Sequence, residues 1–237
     1  MHIDTSENSS CCPAVSHHHP VAVGQTIIQR SQWSYRNGPK RVIDVVLTIL
    51  SVPLLIPFAL VAGLLIKLDS RGPILVKLKR LGKDRTAFYK YKFRTMVPDA
   101  EKVLQELLRH DEELRNEYSS TYKIKNDPRI TKFGRWLRRT SLDELPQVLN
   151  VIRGEMSWVG PRDILDSELA MYGEHAEKFV TVRPGITGLW QVSGRSRLPY
   201  SERVRLDMFY IDCLSLRLDL SILLRTFPVV LFGDGAI

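Results

Sequence analysis

Residues 45–66 read VVLTILSVPLLIPFALVAGLLI, 22 consecutive positions without a charge. At 1.5 Å per residue such a helix reaches about 33 Å, enough to cross a hydrocarbon core about 30 Å thick. Lys40 and Arg41 precede the run, and Lys67, Arg71, Lys77, Lys79 and Arg80 follow it. A buried core helix is the soluble alternative, but soluble helices seldom carry so long an uncharged stretch. Pro53 and Pro57 each remove a backbone donor and clash with the carbonyl four residues back, so a kink in mid-segment is predicted. Cations on both flanks draw both ends to one face of the membrane. The segment therefore reads as a bent helix that enters and leaves a single leaflet, with Ser51 able to satisfy a backbone group freed at the bend. A cleaved signal peptide is disfavoured, because the run starts after 44 residues and no short small-residue cleavage pattern follows.

Working outward, the rest of the chain fits a water-soluble body. Of its 237 residues, 44% are apolar and 25% charged, which excludes a wholly disordered or multi-span chain. Lys and Arg total 34 against 26 Asp and Glu, a net charge of +8. That excess points to nucleic acid, an anionic membrane surface or a phosphorylated substrate. No G-x-G-x-x-G and no G-x₄-G-K-[ST] occurs, which argues against a P-loop NTPase or a dinucleotide-binding dehydrogenase. Cys11, Cys12 and Cys213 make neither a disulfide framework nor C-x₂-C zinc spacing, so the chain reads as built for a reducing compartment.

Three segments follow. Residues 1–38, rich in Ser, Pro, His and Gly, are expected to form a flexible arm, 39–68 the membrane helix and 69–237 the water-soluble body. After Gly72-Pro73, β-like runs at 74–78 and 87–93 flank the turn residues Gly82, Lys83 and Asp84. A polar helix is predicted over 98–118, with Val103, Leu104, Leu107, Leu108 and Leu114 on one side. Residues 201–232 combine a helix through Tyr210 with an apolar run broken by Arg217, Asp219 and Arg225, which favours helices lying in the interface over a second span. The expected fold is loosely α/β, mainly helical with a small sheet, plus the re-entrant membrane helix and amphipathic interfacial helices.

Cations next to Gly or Pro turns recur from Lys90 to Arg195: Lys92 and Arg94, Arg138 and Arg139, Arg162, Arg183, Arg195. Arginine offers a planar fork to phosphate oxygens and lysine a point charge, so together they suggest an anion pocket. Within it lies RTSLDELP at 139–146. Ser141 and Glu144 have capping-box spacing, which predicts a helix start. The positive end of a helix stabilises an ionised carboxylate, so Asp143 is expected to stay anionic and to serve as nucleophile or metal ligand. A pair of carboxylates among cations also argues against a nucleic-acid or anionic-lipid binder, since carboxylates repel phosphate unless a metal intervenes.

With KRVID at 40–44, YKFRTM at 91–96, RITKFG at 129–134, SLDELPQ at 141–147, and RPGITGLWQVSGR at 183–195, the chain resembles the bacterial sugar transferase family, the monotopic phosphoglycosyl transferases. The resemblance covers about 40–235. It implies transfer of sugar-1-phosphate from a UDP-sugar to polyprenol (undecaprenyl) phosphate through a covalent aspartyl intermediate, with release of UMP. This is the first membrane step of polysaccharide assembly, at the cytoplasmic face of the bacterial inner membrane. It further implies Mg²⁺, membrane lipids as partners, and no nucleic acid. Asp143 matches the nucleophile and metal ligand, and Glu144 its partner. Lys92, Arg94, Arg139, Arg162, Arg183 and Arg195 match substrate-binding positions, and Pro57 matches the proline that breaks the membrane helix. The sugar is not identified, a hexose such as galactose or glucose being the expectation, and a homodimer stays among the open oligomeric states. Two positions depart from the family pattern. Ile56 replaces the usual Ser before the proline, which leaves Ser51 or Thr48 to satisfy the helix break, and Asp163 replaces the proline after Arg162, putting a negative charge beside an expected phosphate contact.

Overall fold

The alternation of apolar and charged residues in LVKLKRL and AFYKYKF builds an antiparallel hairpin, β1 (Leu75–Leu81) and β2 (Ala87–Phe93), in register from Leu75 opposite Phe93 to Leu81 opposite Ala87. The turn falls where the glycine and aspartate were expected, in a 3₁₀ segment Lys83–Arg85 with Asp84 at φ 53°. The computed structural model describes residues 35–36, 38–121, 124 and 127–232. Nearly all of the 1–38 arm, with Cys11 and Cys12, lies outside the described residues. Tyr35, however, is anchored: its hydroxyl donates to Asp219 at 2.8 Å.

The apolar run forms α1 (Pro39–Asp69), a single helix of 31 residues with Pro53 and Pro57 in its interior. Among the described residues it is the one helix long and apolar enough to cross a membrane. Its buried residues fall in two groups, Asp44 and Thr48 near the start and Ala62, Gly63 and Ile66 near the end; none of 49–61 is buried. Both ends are tied to the same body. At the start Lys40 pairs with Asp219 at 2.6 Å, and Asp44 accepts from Ser157 Oγ (2.9 Å) and from the Trp158 backbone N–H (3.0 Å). At the end Asp69 accepts the Phe133 N–H at 3.0 Å. The hydroxyls of Thr48 and Ser51 donate to the carbonyls of Asp44 and Thr48, ordinary back-bonds within the helix, so they do not serve the carbonyls of Ile49 and Pro53 that the two prolines deprive of a donor.

The predicted helix over 98–118 is two helices, α2 (Ala100–His110) and α3 (Glu112–Thr121). Asp111 between them is extended, and its carboxylate accepts the Leu114 N–H at 2.9 Å, starting the second helix and ending the first. Then follow α4 (Lys132–Arg139), a 3₁₀ turn Leu142–Gln147, α5 (Val148–Arg153) and β3 (Ser157–Val159). A 3₁₀ stretch Asp166–His175 and α6 (Ala176–Phe179) lead to β4 (Gly185–Thr187), which pairs parallel with β3, a second sheet that periodicity did not announce. After α7 (Leu189–Val192), the C-terminal region holds α8 (Tyr200–Asp212) and α9 (Leu216–Phe232). The main core joins β3, α6, α8 and α9 around Val159, Tyr172, Tyr210 and Ile222. Leu216, Leu220, Leu224 and Phe227 form an exposed apolar stripe along α9. Cys213 is buried after α8.

Candidate active site

A smaller core sets the height of the Asp-Glu pair. Leu142 and Leu145 pack against Ala62, Ile66, Phe93 and Leu137. In a 3₁₀ turn residues three apart share a face, so seating these two leucines on α1 turns Asp143 and Glu144 the other way, toward β2. Pro146 explains why the turn is 3₁₀: it has no N–H to give the Leu142 carbonyl, so an α-helical first turn cannot close there.

The expected capping box does not form. Ser141 sits in the left-handed region at φ 56°, with no bond from its side chain to the turn that follows. Its hydroxyl instead takes a bond from Arg195 Nη1 at 3.2 Å, and the Glu144 carboxylate faces Lys92. A non-glycine residue held there costs on the order of 1 kcal/mol or more, tension stored directly before the dyad.

Lys92 bridges the two acids, 2.7 Å from Asp143 Oδ2 and 3.2 Å from Glu144 Oε1. Asp143 is only 3% exposed. Burial pushes its carboxyl above the ordinary value; Lys92 and, more weakly, Arg138 pull it back, while Glu144 raises it further. Burial also opposes ionisation of Glu144, but Lys92, Lys90 and Arg162 outweigh it and hold this carboxyl below its usual range. The cations, rather than a helix end, are therefore what offset the negative charge of the dyad.

The other expected site residues separate into two groups. Arg162 belongs to the cluster: it acts on Glu144, its guanidinium lies 5.1 Å from the Trp190 ring, and its backbone N–H is held by Asp207. Arg195 reaches the site through Ser141. Arg94 is buried and caps the end of α1, donating to the Ser70 carbonyl at 2.6 Å and to Ser70 Oγ at 3.0 Å. Arg183 donates to the Gly154 carbonyl at 2.6 Å, at the end of α5, where Arg41 also binds the carbonyls of Val151 and Ile152. Arg139 is exposed, whereas its neighbour Arg138 is the one that acts on Asp143, anchored by a 2.8 Å bond to Thr95 Oγ1. Pro57 lies in the exposed middle of α1. Arg138, so far only a member of the basic run, and Lys90 join the motif-matched residues at the site.

Among the described residues no three His, Cys, Asp or Glu side chains gather as a metal cage. Two adjacent carboxylates still suit magnesium, which takes one or two protein carboxylates and completes its shell with phosphate oxygens and water.

Residues 35–233 match the sequence profile described as bacterial sugar transferase. Over 197 residues, 83% of the chain, it is 44% identical to a UDP-galactose-lipid carrier transferase of Erwinia amylovora. It is 43% identical over the same length both to an undecaprenyl-phosphate galactose phosphotransferase of Salmonella typhimurium and to the exopolysaccharide production protein ExoY of Sinorhizobium fredii. The match spans 41% of each of the first two relatives and 87% of the third.

Proposed function

The chain belongs to the bacterial sugar transferase family, and from that premise we propose that it transfers a sugar-1-phosphate from a UDP-sugar to undecaprenyl phosphate at the cytoplasmic face of the membrane. An Asp143 oxygen attacks the β-phosphorus; a new P–O bond forms, the anhydride bond to the α-phosphate breaks, and UMP leaves with the bridging oxygen. A phosphate oxygen of the lipid then attacks the same phosphorus, displaces the Asp143 carboxylate and yields undecaprenyl-diphospho-sugar. Lys92, Arg138 and Arg162 act on the dyad and Arg195 binds Ser141 beside it, and these four cations would meet the diphosphate, whose charge rearranges in both steps. Asp143 and Glu144 would hold Mg²⁺, which supplies charge neutralisation at the phosphates when bound.

The observation that carries this reading is a buried aspartate bridged by a lysine to a second acid, seated on the end of the apolar helix. Both substrates, one soluble and one lipid, must reach that carboxylate. Attachment of both ends of α1 to one body, with none of 49–61 buried, supports a helix that dips into one leaflet rather than crossing it. The apolar stripe of α9 supports a second, shallower contact with lipid. Two of the relatives carry galactose in their names, so UDP-galactose is the first donor to try.

The test is UMP release from UDP-galactose and UDP-glucose by the purified protein with Mg²⁺ and undecaprenyl phosphate. Wild type should release UMP and form the lipid product, and Asp143→Asn should do neither. A radiolabelled sugar-phosphate trapped on any residue but Asp143 would refute the assignment, and repeated turnover without a lipid acceptor, beyond the single equivalent of UMP that formation of the adduct releases, would point to a hydrolase.

A further inference from the structure

Asp163 stands where the family pattern has proline, directly after Arg162. Its negative charge is not free to repel a phosphate. Oδ1 accepts Lys90 Nζ at 2.6 Å and Oδ2 accepts Arg80 Nε at 2.7 Å. Burial opposes its ionisation, but Lys90, Arg162 and Arg80 overwhelm that and hold it far below the usual carboxylate range.

Lys90 is 3% exposed. Burial lowers its affinity for a proton, and Asp163 and Glu144 oppose that loss. Two positions apart on β2, Lys90 and Lys92 share a face of the strand. Lys92 ends at the dyad, and Lys90 ends at Asp163 while acting on Glu144. The Leu81 N–H bonds the Ile164 carbonyl at 2.9 Å, and Arg162 bridges to Gly185. The main chain on either side of Asp163 is thus fixed, and its carboxylate joins that loop to both strands of the hairpin.

We propose that Asp163 is a positioning residue for the phosphate site: by clamping Lys90 and Arg80 it locks the loop that presents Arg162 to the strand that presents Lys92, and holds Lys90 beside Glu144 as a further fixed positive charge for a diphosphate. The inference rests on the phosphoglycosyl transferase reading. A proline there would stiffen the loop alone, whereas the aspartate ties loop and strand together, so the two cations cannot drift apart.

Binding of UDP with Mg²⁺ by calorimetry, and KM and kcat with the UDP-sugar that wild type turns over, test it. Asp163→Asn should weaken UDP binding and raise KM about tenfold while kcat stays within about threefold, as expected when an interaction common to ground and transition states is lost. Because that variant leaves a buried ammonium unpaired, Lys90→Met/Asp163→Leu is the second arm, filling the space with apolar groups. The double variant should regain the wild-type thermal midpoint yet keep the raised KM and weak UDP binding, and Asp163→Glu should recover part of the affinity. A merely structural pair would give a double variant with wild-type KM, and that result, or wild-type KM in Asp163→Asn, overturns the inference. A wild type that binds UDP, binds it less well as the double variant, and transfers no sugar-phosphate would overturn the activity alone; one that neither binds UDP nor turns over would overturn both.

Discussion

Lys92→Met removes the ammonium that bridges Asp143 and Glu144. At 2.7 Å from Asp143 and an effective dielectric near 20, the gross attraction is roughly 6 kcal/mol. Most of it is spent on desolvating both groups, and a charge-assisted bond nets about 1.5–3 kcal/mol. The Lys92 side chain retains 22% exposure against 5% for Asp143, which places the coupling near the lower end, about 2 kcal/mol. Lys92→Met should therefore destabilise the fold by about 2–3 kcal/mol, because Asp143 is left buried without its nearest cation. In the Asp143→Asn background the same substitution should cost about 2 kcal/mol less, the remainder reflecting Glu144 at 3.2 Å. Urea unfolding of the four detergent-solubilised proteins gives the double-mutant cycle directly. A coupling under about 0.5 kcal/mol would refute the idea that Lys92 compensates Asp143, and would leave the lysine as a ligand for substrate alone.

Three further outcomes can be measured. Burial pushes the Asp207 carboxyl from its ordinary 3.8 up to about 6, against the bond from Tyr172 and the charge of Arg203. Between those values the folded protein keeps a proton that the unfolded chain has lost, so this residue lowers stability as pH rises from about 4 to 6, by about 3 kcal/mol in all; Asp207→Asn should gain on wild type between urea titrations at pH 4.5 and 7.5, and an unchanged gap would contradict the assignment. Asp44→Ala deprives Ser157 and the Trp158 N–H of their acceptor and should cost about 3 kcal/mol, while Asp44→Asn, which keeps a carbonyl oxygen there, should cost under about 1 kcal/mol by the same denaturation measurement. A Cβ on Gly134 would lie 2.2 Å from the Thr95 carbonyl oxygen, so Gly134→Ala must push α4 off that backbone and carry Arg138 from Thr95; a loss of at least about 2 kcal/mol and a fall in turnover are expected, and wild-type stability would show that the helix is free to shift.

The elements that declare themselves by a single period were legible in the sequence. The uncharged run became α1, and the runs at 74–78 and 87–93 became the hairpin, its first strand continuing to Leu81. What escaped was decided by one residue acting against the period. Asp111 cuts an otherwise continuous helical pattern by bonding forward to Leu114, and Pro146 turns a capping-box signature into a 3₁₀ turn. The parallel pair β3 and β4 has three residues on each side and forms only through tertiary contact, so no period could reveal it.

At the site, the motif points to the dyad, Lys92 and Arg139, whereas the arginine that acts on Asp143 is Arg138, and the local period distinguishes the two. In α4, Gly134, Leu137 and Arg138 fall at i, i+3 and i+4, one inward stripe, whereas Lys132, Arg135, Trp136 and Arg139 form the exposed one. The same rule applied to β2 pairs Lys90 with Lys92 two residues on. A cation's neighbours in sequence are therefore a poor guide to its target; its place in the local period is a better one. Arg94 and Arg183 make the converse point. Each lies in a motif beside a turn, and each reaches a backbone carbonyl near a helix end, because carbonyls there lack an intrahelical donor. Carbonyl and phosphate make the same demand of the side chain, and closeness to a helix end in the fold, which no motif encodes, is what brings these two arginines to a carbonyl.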